Sequence, residues 1–300
     1  MTRYALAVDV GGTKMEAALV SEHGVLVEGS RSRQATGREA TFESLDRGVA
    51  AVVAHALSAL PTDAELVGAG AGSAGPIERA AGAIVPVNMP LARGFGLAES
   101  VRASASAALG REVPTVLGHD GGALALAESW RGATQGAGAS LSIVVSTGVG
   151  GGFVVGGAYI PGATGNAGHL GQVRREGGLT LEEIASGPAS AAWAQQQGWN
   201  GATGEDLARD AAAGVEIARA AIVRSATAVG EALADAATLV DLDMVAIGGG
   251  FSRVSDDYID LVQAALTTSA AHEYSRRTRV VRSGLGDEGP LIGAAALVLR

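Results

Sequence analysis

The stretch YALAVDVGGTKMEAALV, residues 4–20, decides how this chain is read. Tyr4 to Val10 is an apolar run interrupted by one carboxylate, Asp9, and predicts a buried strand. Gly11-Gly12-Thr13 makes a tight turn, because glycine adopts positive φ without a Cβ clash. Met15 to Val20 runs back as a second strand. The pattern returns in the other half of the sequence. Leu141 to Ser146 is an apolar strand, Thr147-Gly148-Val149-Gly150-Gly151-Gly152 reads as a turn, and Phe153-Val154-Val155 as the return strand. Strand, glycine-rich turn and strand open each half, a candidate internal duplication.

Between and after these hairpins, strands alternate with helices. Thr41 to Leu60 has apolar residues at helical spacing (Phe42, Leu45, Val49, Val52, Val53, Leu57) and stops at Pro61. Leu66 to Gly72 reads as a strand and Ala98 to Leu109 as a helix. Val113 to Leu117 is a short strand that delivers His119 and Asp120 at its C-terminal end, followed by a helix over Gly122 to Trp130. Ala-rich helices fill roughly 203–238. Asp243 to Ile247 is a strand running into Gly248-Gly249-Gly250, and Pro290 to Leu299 is a closing apolar helix. Alternation of this kind predicts an α/β fold with mainly parallel sheets. A length of 300 residues favours two domains.

Composition removes several chemistries. The sequence has no cysteine, so disulfides, zinc–thiolate sites and thiol nucleophiles are excluded. The formal net charge of −9 argues against a nucleic-acid partner. The one basic cluster, Arg276-Arg277-Thr278-Arg279 with Arg282, reads as a solvated face. No signal segment or bilayer-spanning run is visible, which makes the expected address cytoplasmic, with no membrane partner. Lys14 is the only lysine and is followed by Met15. A P-loop needs Gly-Lys-Ser/Thr, so that class of ATPase is excluded. A Rossmann dehydrogenase fails as well, because no G-x-G-x-x-G opens a helix after the first strand.

Three glycine-rich turns, at 11–14, 147–152 and 248–250, follow three apolar strands. Phosphates are bound by close-packed backbone N–H groups that side chains would screen. Thr13 and Thr147 add hydroxyl donors, and Lys14 a point charge. Any one of these turns is compatible with an ordinary tight connection. Three of them, two in matching hairpins, point to a nucleotide. Asp9, just before the first turn, is either a magnesium ligand acting through water or a helper of turn geometry.

Asp9-Val10-Gly11-Gly12-Thr13-Lys14 matches the motif D-x-G-G-T-K that opens sugar kinases of the ROK family. Ser146 to Gly152 resembles the second phosphate motif of that family, and Pro86-Val87-Asn88 its sugar-loop asparagine. Gly165-Asn166-Ala167-Gly168 with Leu170-Gly171 resembles its G-N-A-G-E-x-G-H segment. Glu182-Glu183-Ile184-Ala185-Ser186-Gly187 resembles its C-x-E-x-x-A-S-G. The resemblance runs in order from residue 5 to residue 298. It implies two actin-like ATPase (ribonuclease H-like) domains with an interdomain cleft: residues 1–118, with a C-terminal helix at 288–300 packing back on them, and residues 119–287. It also implies a homodimer, ATP with Mg²⁺, and transfer of the γ-phosphate to a hydroxyl, O6, of a hexose or N-acetylhexosamine. Asp120 is then the general base. Asn88, His119, Asp120, His169, Gln172 and Glu182 form the sugar set. Gly11, Gly12, Thr13, Lys14, Thr147, Gly148, Gly249 and Gly250 hold the nucleotide.

The departures from the family pattern carry information. His119 stands where the family usually has Asn, His169 where it has Glu, and Gln172 where it has a zinc-binding His. The three zinc cysteines are missing from the shortened segment Val173 to Thr180. Losing all four ligands together reads as a zinc-free version. His169 offers a donor where the family has a carboxylate, and the Ala-Gly-His variant is most similar to the N-acetylmannosamine kinase branch. This favours a sugar with an exposed carbonyl, such as an N-acetyl group. The rival expectation is a catalytically weak sugar-binding or regulatory protein on the same fold.

Overall fold

The computed structural model describes residues 1–300, with Glu176 described by its backbone alone. The chain divides into two compact units. The first holds Met1–Arg131, Tyr159–Ala167 and Leu285–Arg300, and the second holds Gly132–Ala158 and Gly168–Gly284.

The first unit opens with β1 (Arg3–Val10) and β2 (Lys14–Ser21), an antiparallel hairpin whose register sets Asp9 beside Glu16. β3 (Ser32–Ala35), α1 (Phe42–Ser58) and β4 (Glu65–Ser73) follow. A two-stranded ribbon comes next, β5 (Ile77–Glu78) and β6 (Ala83–Ile84). Then come α2 (Leu97–Leu109), β7 (Thr115–His119) and α3 (Asp120–Arg131). The sheet order is β3-β2-β1-β4-β7, with β4 parallel to both β1 and β7. Thr41 caps α1 by accepting the Ser44 N–H, and Ser44 bonds back to the Thr41 N–H. The apolar positions that predicted this helix, Leu45, Val49, Val52, Val53 and Leu57, form its buried face.

In the second unit β8 (Ala139–Val145) and β9 (Val149–Val155) repeat the hairpin, and β10 (Ala158–Tyr159) leads out of the unit. The chain continues through α4 (Leu181–Ala185), α5 (Gly187–Gln196), α6 (Gly204–Ala212) and α7 (Glu216–Val240). β11 (Met244–Gly248), α8 (Tyr258–Ser269), α9 (Glu273–Arg276) and β12 (Arg279–Arg282) complete it. The sheet order is β10-β9-β8-β11-β12, with β11 parallel to both β8 and β12. Each unit therefore has its strands in the order 3-2-1-4-5, the duplication suggested by the two hairpins. β9 starts at Val149, so Gly150-Gly151-Gly152 belong to the strand and not to the turn the sequence suggested. Their backbones pair with Val144, Ile143 and Ser142, a ladder that needs no side chain.

The closing helix, α10 (Gly289–Leu299), returns to the first unit and packs on β1, β4 and α3. Gly293 makes this possible, because a Cβ there would run into the Ala123 carbonyl on α3. That packing carries the first unit on to Arg131, past residue 118 where the sequence reading set its boundary. No helix among the described residues is long and apolar enough to cross a membrane.

Candidate active site

Asp9 is the last polar residue of β1 and is only partly exposed. Burial, and then the carboxylates of Asp120 and Glu16, push its carboxyl up to about 7, with Lys14 acting in the other direction. The turn after it is closed by the Gly11 N–H on the Lys14 carbonyl at 2.9 Å. Thr36 steadies it, its hydroxyl donating to the Gly11 carbonyl at 2.7 Å. The amide of Asn88 lies against Gly12 so closely that a Cβ at residue 12 would overlap it. The structure thus brings the predicted sugar asparagine onto the first glycine turn.

Lys14 is engaged. Its Nζ is 2.6 Å from Glu16 Oε1, and Arg31 and Arg33 close on the same carboxylate at 2.6 Å each. Burial works to raise the Glu16 carboxyl, but hydrogen bonds from Lys14 and Arg31 outweigh it and hold it below the usual range. This hub was missed in the sequence, because only the β2–β3 register, Glu16 opposite Arg33, reveals it.

β7 delivers His119 and Asp120 as expected. The helix that follows begins at Asp120 itself, not at Gly122, so the aspartate lies in the first turn and is not the residue before it. Asp120 Oδ1 accepts the Gly121 N–H at 2.6 Å and lies 3.1 Å from Nε2 of the buried His119. The Asp120 side chain remains 44% exposed. One carboxylate oxygen is thus anchored on a group that is still open to a ligand.

In the second unit the turn after β8 is closed by the Ser146 N–H on the Gly148 carbonyl at 2.9 Å. Glu182, in the first turn of α4, reaches this turn. Its Oε2 accepts the Val149 N–H at 2.8 Å, and its Oε1 accepts from Gln172 Nε2 at 3.3 Å. α4 is set for this by Thr180, which caps it in a reciprocal pair with Glu183. His169 immediately precedes a short 3-10 turn over Leu170–Gln172, and its carbonyl accepts the Gln172 N–H at 3.0 Å. Gly249 has φ of 94° and lies on the carbonyl of Val145, and Gly250 lies beside Ser146. The second and third glycine turns are therefore neighbours around the end of β8.

The segment Val173 to Thr180 is held by arginines. Arg174 donates to the Gly178 carbonyl, and Arg175 pairs with Asp235 at 2.5 Å and Glu231 at 3.5 Å, both on α7. Of the predicted site residues, the first unit carries Asp9, Gly11, Gly12, Thr13, Lys14, Asn88, His119 and Asp120. The second carries Thr147, Gly148, His169, Gln172, Glu182, Gly249 and Gly250.

Paired 3-2-1-4-5 sheets, each opened by a strand–glycine turn–strand hairpin, define an actin-like ATPase fold. The ROK family model matches residues 5–300, and the chain belongs to the ROK family. It is 32% identical to the bifunctional enzyme NanE/NanK of Brucella suis, over 97% of this chain and 52% of that protein. The chain thus spans about half the length of the bifunctional relatives it matches. The N-acetylmannosamine kinase of Escherichia fergusonii is 30% identical over 97% of each chain. Among solved structures, a ROK glucokinase from Streptomyces griseus in complex with glucose and AMPPNP superposes with a TM-score of 0.78. It is 26% identical and is matched over 98% of this chain and 99% of that one.

Proposed function

We propose that this protein is an ATP-dependent sugar kinase that moves the γ-phosphate of ATP to O6 of a hexose or N-acetylhexosamine, with Asp120 as general base. The observation that carries the reading is the state of Asp120. One oxygen is held by the Gly121 N–H and faces His119 Nε2, while the carboxylate stays half-exposed. Such a group is oriented yet able to accept a proton from a sugar hydroxyl. Phosphoryl transfer asks little more of the protein than alignment, charge neutralisation and that base.

Gly12 and Thr13, with Thr147 and Gly148, offer backbone N–H and hydroxyl donors suited to phosphate oxygens, and Gly11 closes the turn that carries the first pair. Gly249, packed on the Val145 carbonyl, holds the third turn against the second, and Gly250 beside Ser146 is assigned to the rest of the nucleotide. Lys14 contributes only by sharing its charge with Glu16. Asn88, His119, His169, Gln172 and Glu182 are assigned to the sugar. Glu182 does so while keeping the Val149 N–H as a partner. No group of three or more His, Asp or Glu able to hold a metal occurs among the described residues. A partly exposed carboxyl pushed up to about 7, with two other carboxylates acting on it, suits a cation that arrives on the nucleotide and meets Asp9 through water. That Mg²⁺ would neutralise phosphate charge. Similarity to an N-acetylmannosamine kinase and the donor capacity of His169 both favour an N-acetylated acceptor.

The test is turnover of Asp120→Asn with glucose and N-acetylmannosamine. General-base catalysis contributes about 10²–10⁴-fold, and a loss of that size with an unchanged melting temperature is expected. Near-normal turnover ends the assignment.

A further inference from the structure

Tyr159 takes part in none of the steps above. It ends β10 at the point where the chain enters the first unit. The segment behind it is fixed there by Asn166, whose side-chain amide copies a strand partner. Asn166 Oδ1 accepts the Ile77 N–H at 2.8 Å, and its Nδ2 donates to the Ile77 carbonyl at 2.8 Å. The hydroxyl end of the phenol ring lies on Gly122, two residues after Asp120 in the first turn of α3. A Cβ at residue 122 would overlap Tyr159 Oη and Cζ. The ring therefore occupies the space that any other residue at position 122 would fill.

The Tyr159 hydroxyl is buried and has no hydrogen-bond partner. A buried polar atom in that condition is costly and calls for a reason. Asp120 is near enough for its charge to act on the phenol, as does that of Arg79. The Gly121 N–H and His119 both fall on one oxygen of that carboxylate, Oδ1.

We propose that Tyr159 is a positioning residue of the acceptor site: its ring wedges the first turn of α3 at Gly122, and its hydroxyl donates to the Asp120 carboxylate once the sugar is bound. The hydroxyl is then unsatisfied only in the free protein. The inference rests on Asp120 being the base.

Tyr159→Phe separates this from a packing role. The free variant is expected to melt no lower than the parent, since it loses only an unpaired hydroxyl. Its kcat is expected to fall about ten- to a hundred-fold, the value of a hydrogen bond to a charged group, with KM for ATP unchanged. The rise in melting temperature on adding glucose or N-acetylmannosamine should shrink with it. Normal kcat and a normal sugar-induced rise overturn the proposal, and so does a variant that melts early yet turns over normally while folded. The wedge is read separately from Gly122→Ala, alone and combined with Tyr159→Leu. Gly122→Ala should lower kcat strongly beside Tyr159 and much less beside Leu, and an equal loss in both backgrounds overturns the wedge. Asp120→Asn keeps the two ideas apart. If it is inactive while Tyr159→Phe is normal, only the positioning role falls. If Asp120→Asn is active, the base assignment falls first.

Discussion

The two hairpins are built alike and are stabilised differently. In the first, the charged groups are intrinsic: Asp9 and Glu16 face each other across the β1–β2 ladder, with Lys14, Arg31 and Arg33 drawn onto Glu16. In the second, the strands around the turn carry only serine, glycine and apolar residues, and the single carboxylate comes from outside, from Glu182 on α4. On the proposed reading, one backbone unit is made ready for phosphate in two ways. Its own ladder can hold the charge, or a helix can bring an acceptor to the turn.

Breaking the second arrangement should cost most. Gly168 (φ 102°) lies on the Gly151 carbonyl of β9, so Gly168→Ala meets backbone that cannot move aside. In the first hairpin Gly12→Ala meets only the flexible amide of Asn88. Gly168→Ala is expected to lose several kcal/mol of stability, on the order of 3, in a denaturant titration. Gly12→Ala should keep most of its stability and instead raise KM for the sugar. Equal losses would mean that the two turns are not held differently.

Glu182→Ala sharpens the contrast at a smaller scale. It strands the Val149 N–H and frees Gln172, and a loss of about 1–3 kcal/mol is expected, with higher KM values for the sugar and for ATP. Glu182→Gln keeps one carbonyl acceptor and should recover part of both, read by thermal melts and initial rates.

Asp9 gives the most specific effect, one that depends on pH. Its carboxyl is raised from the ordinary 3.8 to about 7 in the folded protein. Between those values the folded state binds more protons than the unfolded state, so stability falls as pH rises through this range. Asp9→Asn should therefore gain stability over the parent from about pH 4 upward. The gain should level off above about pH 7, while kinase turnover is lost. A stability difference independent of pH would remove the burial argument.

Much of this was legible in the sequence because the signals were local. An apolar run ending in glycine fixes β1, β8 and β11 within a residue or two, and the spacing after Val113 delivers Asp120 to a strand end. What escaped depends on long-range register. The Glu16 hub needs the pairing of β2 with β3, and Glu182 on the Val149 N–H needs α4 folded over a turn 33 residues away. The glycines at 150–152 concealed a strand, since glycine packs no side chain and looks like a turn. Tyr159 gave no signal at all. It is a lone aromatic in a glycine-rich stretch, and its importance lies in a contact with Gly122, far away in sequence. The first unit could not be outlined for the same reason, because segments 1–131, 159–167 and 285–300 come together through long-range contacts such as α10 on β1 and α3, Asn166 on Ile77 and Tyr159 on Gly122.

The most direct measurement is a crystal structure with a turned-over sugar and a non-hydrolysable ATP analogue bound. The account predicts the acceptor oxygen within hydrogen-bond reach of the Asp120 carboxylate, about 2.6–3.2 Å, on a line with the terminal phosphorus. An acceptor oxygen whose nearest protein base is any other side chain would contradict it.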